Sequence, residues 1–295
     1  MRWTVGGIEV RRVEETTQLS FKPEILFPAF ERQALAEHAA WLVPEFFNPT
    51  EDRFRTSVHS FLVRTKHHTV LVDTCGGNHK HRPYLPRFHE QSHPWLDRLA
   101  AAGVTPEQVD FVMCTHLHLD HVGWNTRRVD GRWVPTFPNA KYLFHRKEVD
   151  RWDPQHPSWT FAPMNDFSYE DSVAPVIAAG QAVIVDDGYT LDDALTVEPA
   201  PGHTLGHARI RVRDKGEQGF FSGDLMHVPL QVYYPHWGTS LDDLPEAGVR
   251  SRLELLETCA ETQALLMPTH FAAPHCCRIT HRPGGFGVDW SAMPV

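Results

Sequence analysis

The sequence predicts an α/β protein built in layers. Short apolar runs of strand type recur in both halves of the chain, and helical segments stand between them. At 295 residues, with 41% hydrophobic and 22% charged side chains, the chain can bury a sizeable core. No linker is marked. One unit is expected over 1–295, with 1–55 an N-terminal extension packed on it.

Residues 1–55 are mixed in character, and Pro23, Pro28, Pro44 and Pro49 interrupt any long element. SFLVRT (60–65) and TVLVDT (69–74) read as two adjacent strands. HPWLDRLAAAG (93–103) reads as a helix ended by Gly103. DFVMCT (110–115) is a short apolar strand, and AKYLFHR (140–146) is a strand leading into a short helix. Residues 152–175 are rich in aromatics and prolines without periodicity, which suits an ordered loop or short helices over a pocket. QAVIVDD, LTVEPAPG, HARIRVRD and GFFSGD (181–187, 195–202, 207–214, 219–224) continue the strand habit. Residues 243–263 form the strongest helix, with Leu253, Leu256 and Cys259 at helical spacing, and ALLMPTH (264–270) is a final strand.

The balance of 37 acidic against 28 basic residues argues against a nucleic-acid binder working through a general basic field. No stretch is apolar and long enough for a transmembrane helix, and the opening residues lack the apolar centre of a secretory signal. Five cysteines without CxxC spacing suggest reduced thiols and a cytoplasmic setting. The 20 histidines need a separate explanation.

Thr115-His116-Leu117-His118-Leu119-Asp120-His121 supplies one, directly after an apolar strand. His116 and His118 can converge if the loop curls back, and Asp120 and His121 can face a second ion. Neutral imidazole and carboxylate are ligands of zinc and similar divalent metals. His203 in PGHT, Asp224 in SGD and His270 in PTH each stand at a strand end. Together these residues could serve two metals.

THLHLDH, PGHTLGH, SGD and PTH, in this order, resemble the metallo-β-lactamase superfamily from about Ser60 to His270. The resemblance implies the αββα sandwich, with the site at one edge between two sheets. It implies two divalent ions, zinc by first choice. One would be held by His116, His118 and His203, the other by Asp120, His121 and His270. Asp224 would bridge them beside a hydroxide. Two divalent ions outweigh two aspartates and a hydroxide by about one positive charge, which favours an anionic intermediate. The activity implied is attack of the bridging hydroxide on a small lactone or carboxylic ester, with Asp120 handling a proton for the leaving group. The partner expected is therefore a small-molecule substrate, with no nucleic acid and no membrane. A homodimer would be in keeping with superfamily hydrolases.

His227 is a further catalytic candidate, because acyl-homoserine lactonases of this superfamily commonly carry a tyrosine near that position. GDLMHVPLQ also resembles methyl parathion hydrolase and its relatives, which makes an organophosphate triesterase the alternative. A nuclease and an iron-dependent redox enzyme share HxHxDH. Net acidity counts against the first. His118, where diiron members tend to carry a carboxylate, counts against the second.

Asp73 is expected to orient a histidine, and His207 to support the fold rather than bind metal. Trp124, Trp152, Trp159, Phe161, Phe167 and the run Tyr233, Tyr234, His236, Trp237 are candidates for pocket walls or for packing. The HKHR run (79–82) reads as a solvated loop, and Cys276-Cys277 as structural.

Overall fold

The computed structural model describes residues 1–165 and 167–291. Its larger sheet has eight strands. The path runs Arg2–Val5, Ile8–Leu19, Arg53–Arg64, Thr69–Val72, Phe111–Met113, Lys141–His145, Ala182–Val185, with Phe47–Asn48 paired onto Arg53–Arg64. The first four are antiparallel neighbours and the last three join in parallel. A five-stranded sheet follows in the order Thr190–Leu191, Leu195–Pro199, Ala208–Asp214, Glu217–Phe221, Leu265–Met267.

The period of two along the strands explains the layering. Phe61 and Val63 meet Ile210, Val212, Phe221 and Met267 between the sheets. Their neighbour Leu62, with Leu71, turns the other way onto Trp95 and Leu99 of the helix Trp95–Ala101. Phe220 and Leu266 likewise turn away, onto Leu255, Leu256 and Cys259 of the helix Pro245–Thr262. Both sheets are thus covered on both faces, giving the αββα order. Each such buried side chain contributes roughly 1.5–3 kcal/mol of transfer free energy.

The long helix differs in detail from its sequence reading. Gly248, Arg252, Leu255, Leu256, Cys259 and Ala260 form the buried stripe. Leu253 lies off that stripe and is 39% exposed.

The N-terminal stretch also differs. Arg2–Val5 and Ile8–Leu19 are integral to the larger sheet rather than an extension laid upon it. The Arg, Glu and Thr side chains on the outer face of Ile8–Leu19 dilute the apolar alternation, so the strand did not show in the sequence. Only residues beyond it fit the idea of a packed segment: Leu26, Phe27, Leu42, Phe46 and Phe47 cluster with Phe54, Val228 and Trp237.

The hairpin Thr126–Val129/Arg132–Pro135 was also missed. Its turn is Asp130-Gly131, with φ of 49° and 78°, the left-handed pair that a two-residue hairpin loop demands.

The HKHR run is not a solvated loop. Lys80 and Arg82 are buried on Asp171, at 3.3 Å and at 2.7 and 2.8 Å. Among the described residues, no helix is long and apolar enough to cross a membrane.

Candidate metal and active site

Strand ends build the site. Thr69–Val72 delivers Asp73, Phe111–Met113 leads to His116 and His118, and the short helix Leu119–Val122 carries Asp120 and His121. From the second sheet, Leu195–Pro199, Glu217–Phe221 and Leu265–Met267 lead to His203, Asp224 and His270. Both sheets therefore contribute to one edge.

All seven expected ligands come together there. Nε2 of His116 and Nε2 of His203 lie 3.0 and 2.8 Å from Nδ1 of His118. Asp224 Oδ1 is 3.1 Å from Nε2 of both His121 and His270. Its other oxygen is 3.4 Å from His203 Nε2 and 3.1 Å from His227 Nε2. Asp120 stands farther back, 3.8 Å from Nε2 of His121 and of His270.

The outward ring nitrogens are anchored, which turns the inward lone pairs to the centre. His121 Nδ1 donates to Asp73 at 3.0 Å. Thr115 Oγ1 donates to Asp73 at 2.9 Å and accepts from His116 Nδ1 at 3.1 Å. His203 Nδ1 donates to Asp242 at 3.1 Å, and His270 Nδ1 to the Ser57 carbonyl at 2.9 Å. Asp73 thus orients one histidine directly and a second through a hydroxyl.

The electrostatics match a cation site. Burial and the neighbouring imidazoles hold His116 and His118 well below the usual histidine range, so both are neutral. Burial would also lower His121, but Asp224 and Asp73 override it and raise its pKa. Burial opposes ionisation of Asp224, yet four surrounding histidines keep it well below the carboxylate range. His121 Nε2 and Asp224 Oδ1 are buried without a hydrogen-bond partner. Crowded imidazole nitrogens around orphaned buried acceptors are what divalent metals satisfy, so this donor set fits them. Candidate groups are His116/His118/His203, Asp120/His121/His270 and His116/His121/Asp224. A fourth, His203/Asp224/His227, brings in His227.

His207 supports the fold: it donates to the Ala200 carbonyl and accepts from the Asp224 amide, both at 3.0 Å. Burial takes its pKa down to about 3.

A cavity of about 250 Å³ opens on this cluster of histidines and aspartates. Phe21, Leu26, Leu85, Phe88, Leu119 and Trp152 give it apolar walls, and Arg87 also lines it. Of the expected wall aromatics, Trp152 faces this cavity, while Trp159, Phe161 and Phe167 border a smaller neighbouring pocket. Trp124 stacks on Trp95 at 5.3 Å in the core, and Trp237 on Tyr234 at 4.2 Å.

Sequence reasoning missed Asp242, Glu148 and Arg87. Glu148 is buried and accepts from Leu117 N, Gly206 N, Thr204 Oγ1 and Trp152 Nε1, clamping two ligand loops together. In sequence it sits in HRKEVDRW and reads as an ordinary helix-surface charge. Asp242 in SLDDLPEA reads as a helix-start residue.

The family model of the metallo-beta-lactamase superfamily matches residues 53–270. The N-acyl homoserine lactonase AttM of Azorhizobium caulinodans is 34% identical over 179 residues, 54% of this chain and 61% of the relative. The protein of the same name from Rhizobium johnstonii is 33% identical over 148 residues, 48% of this chain and 49% of the relative. The chain spans about half the length of the curated relatives it matches. Among solved structures, the hydrolase AbOPH of the beta lactamase superfamily aligns with a TM-score of 0.81 at 23% identity, covering 100% of this chain and 96% of that one. AidC, a dizinc quorum-quenching lactonase in complex with a product, aligns with a TM-score of 0.75 at 21% identity, covering 98% and 96%. These structural likenesses are likenesses of fold.

Proposed function

The chain belongs to the metallo-beta-lactamase superfamily, and from that premise we propose that it is a dinuclear metal-dependent hydrolase of small lactones or carboxylic esters. The observation that carries the proposal is the double-faced position of Asp224. One oxygen turns to His121 and His270, the other to His203. His116, His118 and His203 would hold one ion, and Asp120, His121 and His270 the other, with Asp224 between them. When bound, two divalent ions such as zinc polarise a carbonyl oxygen and make hydroxide available from water at neutral pH.

The side chains do the rest. Asp120 is more exposed than Asp224, at 19% against 5% side-chain exposure, and it borders the cavity. There it can take up a proton and pass it to the leaving oxygen. His227 is neutral, because burial lowers its pKa more than Asp224 raises it. With Nε2–H toward Asp224, its one proton fixes the central carboxylate. His227 then acts on the bridge. The apolar cavity walls exclude water and accept a partly apolar substrate. The AttM relatives are named for N-acyl homoserine lactone opening, which supports placing lactones first.

The test is a panel of lactones, aryl esters and phosphotriesters with metal-loaded protein of measured metal content. Lactone or ester turnover that chelator abolishes and zinc restores is expected. Turnover confined to phosphotriesters favours the triesterase alternative. Fully loaded protein inactive on every member sinks the proposal.

A further inference from the structure

We propose that Arg87 is a specificity-determining residue that binds a carboxylate carried by the substrate, away from the bond that is cleaved. This rests on the hydrolase reading of the same cavity and names the substrate class more narrowly: lactones or esters that bear a carboxylate.

Arg87 lines the cavity together with His118, Asp120, Asp224 and His270. It is partly buried, and its Nε is buried without a hydrogen-bond partner. Among the described residues, no hydrogen bond or ion pair reaches its guanidinium. The other buried basic groups behave differently. Arg82 and Lys80 grip Asp171, Arg252 donates to the carbonyls of Leu225 and Pro235, and Arg209 pairs with Glu198 and Glu254. Arg127 also has a buried Nε without a partner, but it does not line the cavity; Arg87 is the basic group in that state that does. An uncompensated buried charge is costly, so a ligand that brings the counter-charge gains correspondingly.

The nearby acids do not meet the need. Asp120 acts on Arg87 through space only and belongs to the His121/His270 group. Asp243, also on the cavity wall, lies 3.8 Å from Arg151. The guanidinium carbon stands 4.7 Å from the Phe88 ring centre and 5.8 Å from that of Phe21. Flanking rings restrict a planar fork and dry its surroundings, which strengthens a two-point contact to a planar anion. A carboxylate takes both bonds of the fork, and a neutral amide carbonyl takes one.

The experiment compares matched ligands on metal-loaded protein. Substrates are the mono-aryl ester of glutaric acid and the aryl ester of pentanoic acid, which have the same chain length. Calorimetry measures glutarate against pentanoate, the two hydrolysis products, which share one carboxylate for the metal site and differ in a second at the far end. Wild type is expected to favour the partner with the far-end carboxylate by roughly 10- to 100-fold in kcat/KM and in affinity, the range for a charge-assisted bond. Arg87→Met should collapse both ratios to about one to threefold, and Arg87→Lys should retain part of them. Equal preference in wild type overturns the proposal, as does a variant that keeps the ratio. If no ester is hydrolysed by fully loaded protein, the hydrolase reading fails, and the calorimetric ratio still decides the role of Arg87.

Discussion

Asp73 Oδ2 lies 3.0 Å from Nδ1 of His121, and the opposite nitrogen of that ring lies 3.1 Å from Asp224 Oδ1. One carboxylate behind the ring thus aims the ring at the other. Asp73 also takes the Thr115 hydroxyl that holds His116, so a single side chain fixes a histidine in each proposed metal set. Asp73→Ala is expected to weaken metal binding by about 10- to 100-fold while leaving the fold intact. Competition with a chromophoric chelator measures this. Unchanged affinity would show that packing alone orients the rings.

His118 presents Nδ1 to both His116 and His203. His118→Ala should therefore lower metal content and turnover together, with loss concentrated in one of two equivalents. Elemental analysis of the dialysed variant decides. Full metal and full turnover refute the assignment of that loop.

Glu148 ties the His116/His118 loop to the His203 loop through four donors. Glu148→Ala leaves these donors unpaired in a dry interior and should cost about 3 kcal/mol. Urea titration gives the loss. Metal affinity should fall with it, because both loops loosen.

Asp171 neutralises Arg82 and Lys80 away from the metal ligands. Asp171→Ala strands two buried cations and should destabilise by about 3–5 kcal/mol. A change below 1 kcal/mol in denaturant titration would mean that water reaches the pair.

His275 gives a pH dependence. Burial and nearby Arg12 lower its pKa to about 3, and its Nδ1 donates to the Phe271 carbonyl at 2.7 Å. A histidine in the unfolded chain titrates near 6.5. Below that value the unfolded state binds a proton that the native state refuses, so stability falls as pH drops from about 6.5 toward 3. His275→Asn keeps a donor at the Nδ1 position and removes the titration. Between pH 7 and 5 wild type should lose about 2 kcal/mol more than the variant, read by denaturant unfolding at both values.

The sequence alone was enough to read the layered α/β class, the strands at 60–74, 110–115 and 181–224, and the seven histidines and aspartates that converge at one edge. These are local signals: an apolar run has a period, and HLHLDH packs chemistry into a few consecutive residues. Ile8–Leu19 escaped because its outward face carries Arg, Glu and Thr and its apolar face is set by pairing with the distant strand Arg53–Arg64.

Tertiary structure alone decided which charges are interior. Nothing local separates Lys80 and Arg82, buried on Asp171, from solvated bases, or Glu148 from a surface acid. Their partners lie 91, 89 and 31 residues away. The same holds for Asp242 behind His203 and for Arg87 at the cavity wall. A metal ligand is legible because its chemistry is its own. A residue that orients, clamps or recognises acquires its role from what the fold places beside it.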